Sequence, residues 1–311
     1  MELLADVAEM YYDQGSTQAE IARVIGVTRS AVSRMLKDAR ERGIVEIQVR
    51  RPLRFDVTLE KRLVERFDLR EARVLLWNRE NEYEELRHRL GRVGAQVLGR
   101  LLVPGLTIGV AWGTTISATI EALEPADHPA VKVVQLVGVL GSSSHAFSAQ
   151  TLVQRLASKV GGEAVYLYTP LIVDSEDMAR SLLQNESVRE GIEVGKRCDV
   201  ALLGIGSVHP ETCSLYHGGH ISRETLDALQ RARAVGDVSA YFFDIDGRTP
   251  DIDLHQRIVG IPRNDLLHIP TRLGIAGGQT KAQAVLGALR GRYINTLVTD
   301  TKTARLVLDI G

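Results

Sequence analysis

The sequence predicts an α/β protein in which a small helical N-terminal domain precedes a larger domain built on a mostly parallel β-sheet. Three short helical patterns, each with a cap or a glycine stop, occur before residue 45. Beyond residue 70, apolar runs alternate with stretches that are long enough for helices. With 311 residues, 44% of them hydrophobic and 25% charged, the chain can form about two domains and is neither disordered nor fibrous.

The N-terminal helices are delimited by local signals. Residues 2–14 place apolar side chains at helical spacing. Thr17 and Glu20 form a capping box that begins a second helix, and Thr28 can cap a third. The alternation of residues 44–49 then predicts a strand.

Residues 18–37 have the spacing of a helix-turn-helix. Ala22 lies where two helices must cross closely, Gly26 lies in the turn, and four apolar residues are spaced to fill the angle between the helices: Ile21, Val27, Val32 and Met35. The second helix of such a motif enters the DNA major groove. The predicted DNA contacts are the polar positions of this helix and the start of the preceding one: Gln18, Thr28, Arg29, Ser30, Ser33, Arg34 and Lys37. The alternative is a plain three-helix bundle or a protein-binding winged helix.

The charge distribution favours DNA binding. The whole chain has a formal net charge of −1, which by itself argues against a nucleic-acid binder. Residues 23–54, however, contain nine basic and three acidic side chains, a local net charge of +6. The net negative charge of the other residues therefore offsets this local positive charge in the total for the chain.

A helix over residues 52–69, with one apolar face, is predicted to connect the two domains, which we assign to residues 1–54 and 55–311. Six apolar runs then predict strands, at residues 73–77, 106–111, 131–137, 200–205, 238–243 and 272–276. Several of them end in glycine and are followed by a helical stretch. This repetition is typical of a parallel sheet covered by helices on both faces.

Glycine-containing turns after these strands predict an anion site at the carboxyl edge of the sheet. Gly113, Thr114 and Thr115 open one helix with free amides and hydroxyls. Lys281 lies in the first turn of another, where it opposes the helix dipole, so an anionic ligand explains it better than helix stability. The remaining residues assigned to this edge are Gly138, Gly206 and Ser207. Neither a Walker loop nor a dinucleotide GxGxxG motif is present.

Among the acidic residues, Asp237 is the one expected to accept hydrogen bonds from sugar hydroxyls. The segment 241–250 resembles the phosphatase signature of the haloacid dehalogenase family, but Arg248 replaces its threonine and too little chain follows. We interpret this segment as a turn after a strand. Asp251, Asp253 and His255 could be metal ligands, but an acid-rich loop without a second cluster is more often solvated, so no metal site and no cofactor is predicted.

Two further expectations concern the compartment. Only two cysteines occur, Cys198 and Cys213, without the spacing of a disulfide framework or a zinc site. The acidic N-terminus is not a signal peptide, and no apolar run approaches the ~18 residues of a membrane span. We therefore expect a cytoplasmic protein with no membrane partner.

Almost the whole chain, from about residue 5 to residue 311, resembles the SorC/DeoR-type sugar-binding transcriptional regulators. Four segments carry the resemblance: 15–45 (GSTQAEIARVIGVTRSAVSRMLKDARERGIV), 106–116 (LTIGVAWGTTI), 236–247 (GDVSAYFFDIDG) and 276–308, which begins AGGQTKAQAV. They occur in the expected order and spacing, so the resemblance is specific.

The resemblance implies a winged helix-turn-helix joined to a Rossmann-like domain similar to ribose-5-phosphate isomerase and glucosamine-6-phosphate deaminase. It also implies a phosphorylated sugar as effector and a homodimer or homotetramer. The family's phosphate loop falls on Gly113, Thr114 and Thr115, its hydroxyl-binding acid on Asp237 and its phosphate-binding lysine on Lys281. Some members form a Schiff base through a lysine where this chain has Val137, so we expect reversible binding.

We therefore expect a transcriptional regulator, a repressor of carbohydrate genes, whose affinity for a double-stranded DNA operator is controlled by a phosphorylated sugar. The alternative is a sugar-phosphate isomerase or hydrolase with an appended DNA-binding head. Such an enzyme needs an acid/base pair beside the anion site. Asp237 alone does not supply one, although His217 and His220 could approach it.

Overall fold

The structure is a computed structural model that describes residues 1–45, 52–79, 82–128, 130–141 and 147–311. The chain divides into two compact units, Met1–Pro52 and Leu53–Gly311. No helix among the described residues is long and apolar enough to cross a membrane.

The N-terminal unit contains three helices, α1 (Glu2–Tyr12), α2 (Gln18–Ile25) and α3 (Arg29–Glu41). The predicted capping box of α2 is confirmed, because the Thr17 hydroxyl accepts from the Glu20 amide and the Glu20 carboxylate accepts from the Thr17 amide at 2.8 Å. The Thr28 hydroxyl caps α3 by accepting from the Ala31 amide at 3.2 Å. Most of the predicted strand at 44–49 lies outside the described residues.

The core of this unit lies between the three helices. Its buried residues are Val7, Ala8, Ile21, Ala22, Val32, Leu36 and Ala39. Ile21 and Val32 occupy the angle between α2 and α3, as predicted, and Met35 is half-buried there. The expectation for Val27 was wrong, because this residue lies in the turn after α2 and is 36% exposed.

The second unit contains a large and a small sheet with surrounding helices. Its strands are β1 (Glu71–Leu75), β2 (Thr107–Val110), β3 (Lys132–Gln135), β4 (Glu163–Val165), β5 (Val200–Gly204), β6 (Gly206–Ser207), β7 (Gly236–Val238), β8 (Tyr241–Phe243), β9 (Thr271–Ile275) and β10 (Thr296–Asp300). Its helices are α4 (Val57–Phe67), α5 (Tyr83–Leu101), α6 (Thr114–Ala122), α7 (Ala149–Val160), α8 (Glu176–Gln184), α9 (Glu186–Lys196), α10 (Ser214–His217), α11 (Arg223–Arg231), α12 (Asp253–Gln256), α13 (Arg263–His268), α14 (Ala282–Arg290) and α15 (Thr301–Ile310).

The large sheet has the strand order β1-β10-β9-β5-β2-β3-β4, and all of its described strand pairs are parallel. From β2 the chain proceeds through β3 and β4 to one edge, and from β5 through β9 and β10 towards the other. The order therefore reverses between β2 and β5, and at such a switch point parallel sheets bind their ligands. The predicted α/β class with a mostly parallel sheet is confirmed.

Three details of the predicted sheet were wrong. The apolar run 238–243 is a hairpin, in which β7 and β8 pair antiparallel through a turn at Ser239 and Ala240 with φ values of 55° and 64°. Strand β10 was not predicted because its threonines and aspartate, although buried, interrupt the apolar run. Strand β4 has only three residues, too few for a recognisable period.

Helix α4, predicted as a connection, belongs to the core of the second unit. Its Leu59 and Leu63 are buried in the same cluster as residues of β1 and α15. The buried Glu60 carboxylate accepts from the Val74 amide at 3.0 Å and pairs with Arg73 at 3.4 Å. The helix is thus fixed to β1 by polar as well as apolar contacts.

Candidate functional site

In the N-terminal unit, α3 presents a polar surface opposite the core. Arg29, Ser30, Ser33, Arg34 and Lys37 are exposed, whereas Val32, Leu36 and Ala39 of the same helix are buried. Thr28 is exposed at the N-cap, with its hydroxyl 3.0 Å from that of Ser30, and Gln18 at the start of α2 is half-buried. This arrangement leaves the predicted reading positions of α3 accessible to a DNA groove.

The second unit contains a cavity of about 970 Å³ at the carboxyl edge of the large sheet. Loops that follow β1, β2, β5, β9 and β10 contribute to its wall, together with residues between 211 and 220. Six of the residues predicted from the sequence line it: Gly113, Thr114, Thr115, Gly206, Asp237 and Lys281. The structure thus brings together residues that are up to 168 positions apart in the sequence.

The N-terminus of α6 forms part of the cavity wall. The helix begins directly after Gly113, and no side chain of the described residues caps it. The Gly113 amide is already bonded to the Phe147 carbonyl at 3.2 Å. The amides of Thr114 and Thr115 belong to the first helical turn, which has no carbonyl partners of its own. Amides at the start of a helix are suited to an anion, so the geometry here is compatible with the predicted site.

Lys281 joins the loops after β5 and β9. Its ammonium group donates to the Ile205 carbonyl at 2.9 Å. Contrary to the expectation, the residue does not lie within the first turn of an α-helix. It ends a 3₁₀ turn, Gln279–Lys281, immediately before α14. The positive charge is therefore held at the cavity wall by a carbonyl, without a carboxylate ion pair in the described part of the chain.

Asp237 is one of two buried aspartates among the described residues of the cavity wall, the other being Asp300. It lies on β7, and its Oδ2 accepts from the Ala240 amide at 3.2 Å. Burial raises the pKa of this carboxyl from 3.8 to about 6, although the Ala240 hydrogen bond and the charge of Lys281 act in the opposite direction. Gly206 is required beside it, because a Cβ at that position would overlap Asp237 Oδ1.

Two predicted residues are not part of the cavity wall. Gly138 packs against the backbone of Pro170, which a Cβ would overlap, and its amide donates to the Val259 carbonyl at 2.9 Å. Ser207 is buried and its hydroxyl accepts from the His209 amide at 3.1 Å. Gly138 follows β3 and Ser207 lies on β6, and the contacts of both are with neighbouring protein segments.

Sequence reasoning missed several residues of the wall. Asp300 at the end of β10 accepts from the Gly278 amide at 2.7 Å and from Lys302 and Thr303 amides at 3.0 and 3.1 Å. An aspartate directly before Thr-Lys-Thr is typical of a helix N-cap, so the sequence indicated that a helix begins after Asp300. Trp112 directly precedes the predicted loop at Gly113, whereas the aromatic wall residues Trp77, Tyr83 and Phe147 carried no local signal, because only the fold brings their loops together.

The phosphatase-like segment forms a turn. Asp244 Oδ1 accepts from the amides of Asp246 and Arg248 at 3.0 and 2.8 Å, and Asp246 pairs with Arg290 at 3.2 Å. His255 is fixed by the Phe242 amide at 3.0 Å, and burial lowers the pKa of its imidazole. Within the described residues, no group of three or more His, Cys, Asp or Glu side chains could hold a metal ion.

Comparison with known proteins identifies the family. Residues 51–309 match the family model described as a sugar-binding domain, and residues 3–65 match that of a Crp-like helix-turn-helix domain. The crystal structure of the full-length sorbitol operon regulator SorC from Klebsiella pneumoniae is similar with a TM-score of 0.74 and 32% identity, covering 99% of this chain and 98% of that one. The chain belongs to the SorC family of sugar-binding transcriptional regulators.

Sequence comparison matches the same regulator and a second relative over nearly the whole chain. The sorbitol operon regulator of Klebsiella pneumoniae is 33% identical over 310 residues, 99% of this chain and 98% of the relative. The deoxyribonucleoside regulator of Bacillus subtilis is 32% identical over 309 residues, 99% and 97% of the two chains. These relatives are regulators with a DNA-binding domain, so the prediction of a sugar-responsive transcriptional regulator is confirmed over the enzyme alternative.

Proposed function

We propose that this SorC-family regulator is a repressor whose affinity for its DNA operator is controlled by a phosphorylated sugar. We place the binding site of this sugar in the 970 Å³ cavity. The observation that carries the proposal is the combination of groups in that cavity. The uncapped start of α6 and the Lys281 ammonium suit a phosphate, and the Asp237 carboxylate suits sugar hydroxyls.

The donor set favours a phosphate over a neutral sugar alone. Two kinds of donor, neutral amides at Thr114 and Thr115 and the ammonium of Lys281, line the same cavity. A phosphate accepts from both kinds and is also stabilised by the positive end of the α6 dipole. This chain has Val137 where the family resemblance implies a Schiff-base lysine in some members, which supports reversible binding.

For DNA binding, we propose that the region 1–54 reads the operator and that the region 55–311 binds the effector and forms a homodimer or homotetramer. A two-fold pair of helix-turn-helix units reads half-sites one or more DNA turns apart. The exposed Arg34 of α3 is suited to guanine or phosphate, and the local charge of +6 supports affinity for the DNA backbone.

Binding to chromosomal DNA, together with two buried free cysteines, supports a cytoplasmic location.

A continuous set of contacts supports coupling between the effector and the start of the second unit. The cavity residue Asp300 caps α15, and α15 packs against α4, which follows the boundary between the units in sequence. An effector that shifts the Gly278 loop therefore acts on α15 and α4. Couplings of this kind are typically ~1–3 kcal/mol, or roughly 5- to 150-fold in affinity.

The proposal is tested with the full chain and an operator selected from random DNA. Arg34→Ala should remove operator binding but keep the melting-temperature shift caused by a sugar phosphate. Lys281→Ala and Thr114→Val should keep operator binding but lose the response. Exposed positions provide the controls, Arg66→Ala for Arg34 and Lys132→Ala for Lys281.

Three outcomes contradict the proposal. Operator affinity that is unchanged in Arg34→Ala contradicts the assignment of α3. A full response in both cavity variants contradicts the effector site. The absence of any response in the unaltered protein to a panel of sugar phosphates contradicts the effector class.

A further inference from the structure

The chain enters the second unit as a short extended segment that pairs with the edge of the large sheet. Strand β1 is an edge strand, and residues 54–56 run antiparallel along its outer side. The Asp56 amide donates to the Val74 carbonyl at 2.9 Å, and the Leu76 amide donates to the Arg54 carbonyl at 2.8 Å. We call residues 54–56 the entry strand.

The entry strand is held to β1 by few contacts. Besides the two backbone hydrogen bonds, the half-buried Phe55 packs against the apolar cluster of β1 and α5. The Arg73 guanidinium carbon lies 3.9 Å from the centroid of the Phe55 ring. A short pairing of this kind at a sheet edge opens locally without unfolding the interior strands. A modest change at the end of β1 can therefore shift its equilibrium between paired and open.

Thr301 connects the other side of the same β1 end to the cavity wall. This buried first residue of α15 donates its hydroxyl to the Leu75 carbonyl at 2.9 Å and accepts from the Trp77 amide at 3.1 Å. Trp77 lines the cavity, and so does Asp300, which precedes Thr301 and caps α15. Alternate backbone groups of a strand point to opposite sides. The end of β1 is therefore bonded to the entry strand on one side and to Thr301 on the other.

We propose that Thr301 is a positioning residue through which a ligand in the cavity controls the pairing of the entry strand with β1. This inference rests on the proposed function and names the element that carries its regulation. A ligand that packs against Trp77 fixes the end of β1 on Thr301, and the fixed β1 end keeps the entry strand paired. The entry strand begins two positions after Pro52, the last residue of the N-terminal unit. Its pairing therefore shortens the free connection between the two units.

The first test measures amide hydrogen exchange at Asp56 and Leu76 in the full chain. Calorimetry first selects the probe that binds most tightly among ribose 5-phosphate, fructose 6-phosphate and glucitol 6-phosphate. Saturation with this probe should slow exchange at both amides roughly 10-fold. Thr301→Val should lose this effect at saturation, whereas Thr301→Ser, which retains the hydroxyl, should keep it. Thr299→Val is the matched control, because it removes a buried hydroxyl that has no hydrogen-bond partner among the described residues.

The second test locks the entry strand with a disulfide. Residues 55 and 75 face each other between the two backbone hydrogen bonds, as a non-hydrogen-bonded pair. The Cα atoms of such pairs are about 4.5 Å apart, which a disulfide can span. In oxidised Phe55→Cys/Leu75→Cys, operator affinity should no longer change with the probe. The reduced form of the same variant is the control and should respond by roughly 5- to 150-fold, as expected for the unaltered protein.

The ratio of exchange rates with and without the probe separates coupling from a structural role of Thr301. A merely structural role would speed exchange in Thr301→Val equally in both conditions and leave that ratio unchanged, which would overturn the inference. A probe that binds without slowing exchange, or an oxidised variant that still responds, would overturn the inference and leave the proposed function intact. If none of the three probes binds, the proposed function fails together with the inference.

Discussion

Replacing Asp237 by asparagine is expected to stabilise the second unit and, at the same time, to weaken effector binding. The carboxylate is buried on β7 and keeps one described hydrogen bond, from the Ala240 amide. Burial raises its pKa from 3.8 to about 6, so at neutral pH the native state carries a charge that it disfavours relative to the unfolded chain. Asparagine removes that charge and retains an oxygen that can accept from Ala240.

The magnitude follows from the shift in pKa. A rise of about 2 units corresponds to about 3 kcal/mol at ~1.4 kcal/mol per unit. Because the folded-state pKa is the higher one, the favourable contribution of Asp237 is fully present below pH 3.8 and is lost as the pH rises through about 6. The stabilisation by Asp237→Asn should therefore approach 3 kcal/mol at pH 7.5 and fall to about half of that at pH 5.

Urea unfolding followed by tryptophan fluorescence measures this difference. The only two tryptophans of the chain, Trp77 and Trp112, both lie in the second unit, so the signal reports that unit alone. Effector affinity should fall by roughly 10- to 100-fold, since hydrogen bonds to a charged acceptor contribute about 1.5–3 kcal/mol.

Asp300→Asn is the matched control, because Asp300 is a buried aspartate of the same cavity with a different set of contacts. It accepts from the amides of Gly278, Lys302 and Thr303 and from the Thr303 hydroxyl at 2.6 Å. Loss of its charge should destabilise the unit, as for other charged helix caps. A loss of stability in Asp237→Asn at pH 7.5, or a gain that does not change with pH, would refute the reasoning.

Two further substitutions test the packing around the site. Gly206→Ala places a methyl group against the Asp237 carboxylate and should abolish the response to effector. The response is measured as the ligand-induced shift in melting temperature. The control Gly99→Ala on α5, whose added Cβ would meet only Leu123 at 3.8 Å, should retain the response. Leu63→Ala should reduce the free energy of unfolding of the second unit by ~2–5 kcal/mol because Leu63 is fully buried on α4. Val57→Ala on the same helix, 56% exposed, should change it by less than ~0.5 kcal/mol, and equal effects of the two would show that α4 is not part of this core.

Features that depend on neighbouring residues were predictable from the sequence. The caps at Thr17 and Thr28 and the start of α6 after Gly113 each involve groups only a few positions apart. Helix periodicity and the apolar runs of most sheet strands are equally local. The same reasoning failed at β7 and β8, where two non-glycine residues with positive φ turn an apolar run back on itself.

The sequence by itself thus determined the helix-turn-helix, the parallel sheet and the glycine turns that become its carboxyl edge. Only the tertiary structure decided which of these turns meet. The order of the strands brings the loops after β2, β5 and β9 to one cavity and leaves Gly138 outside it. The tertiary structure also decided the chemistry of that cavity, because the burial that raises the pKa of Asp237 arises only when distant segments pack around it. Capping and periodicity act over one or two turns, whereas desolvation depends on everything packed around a group.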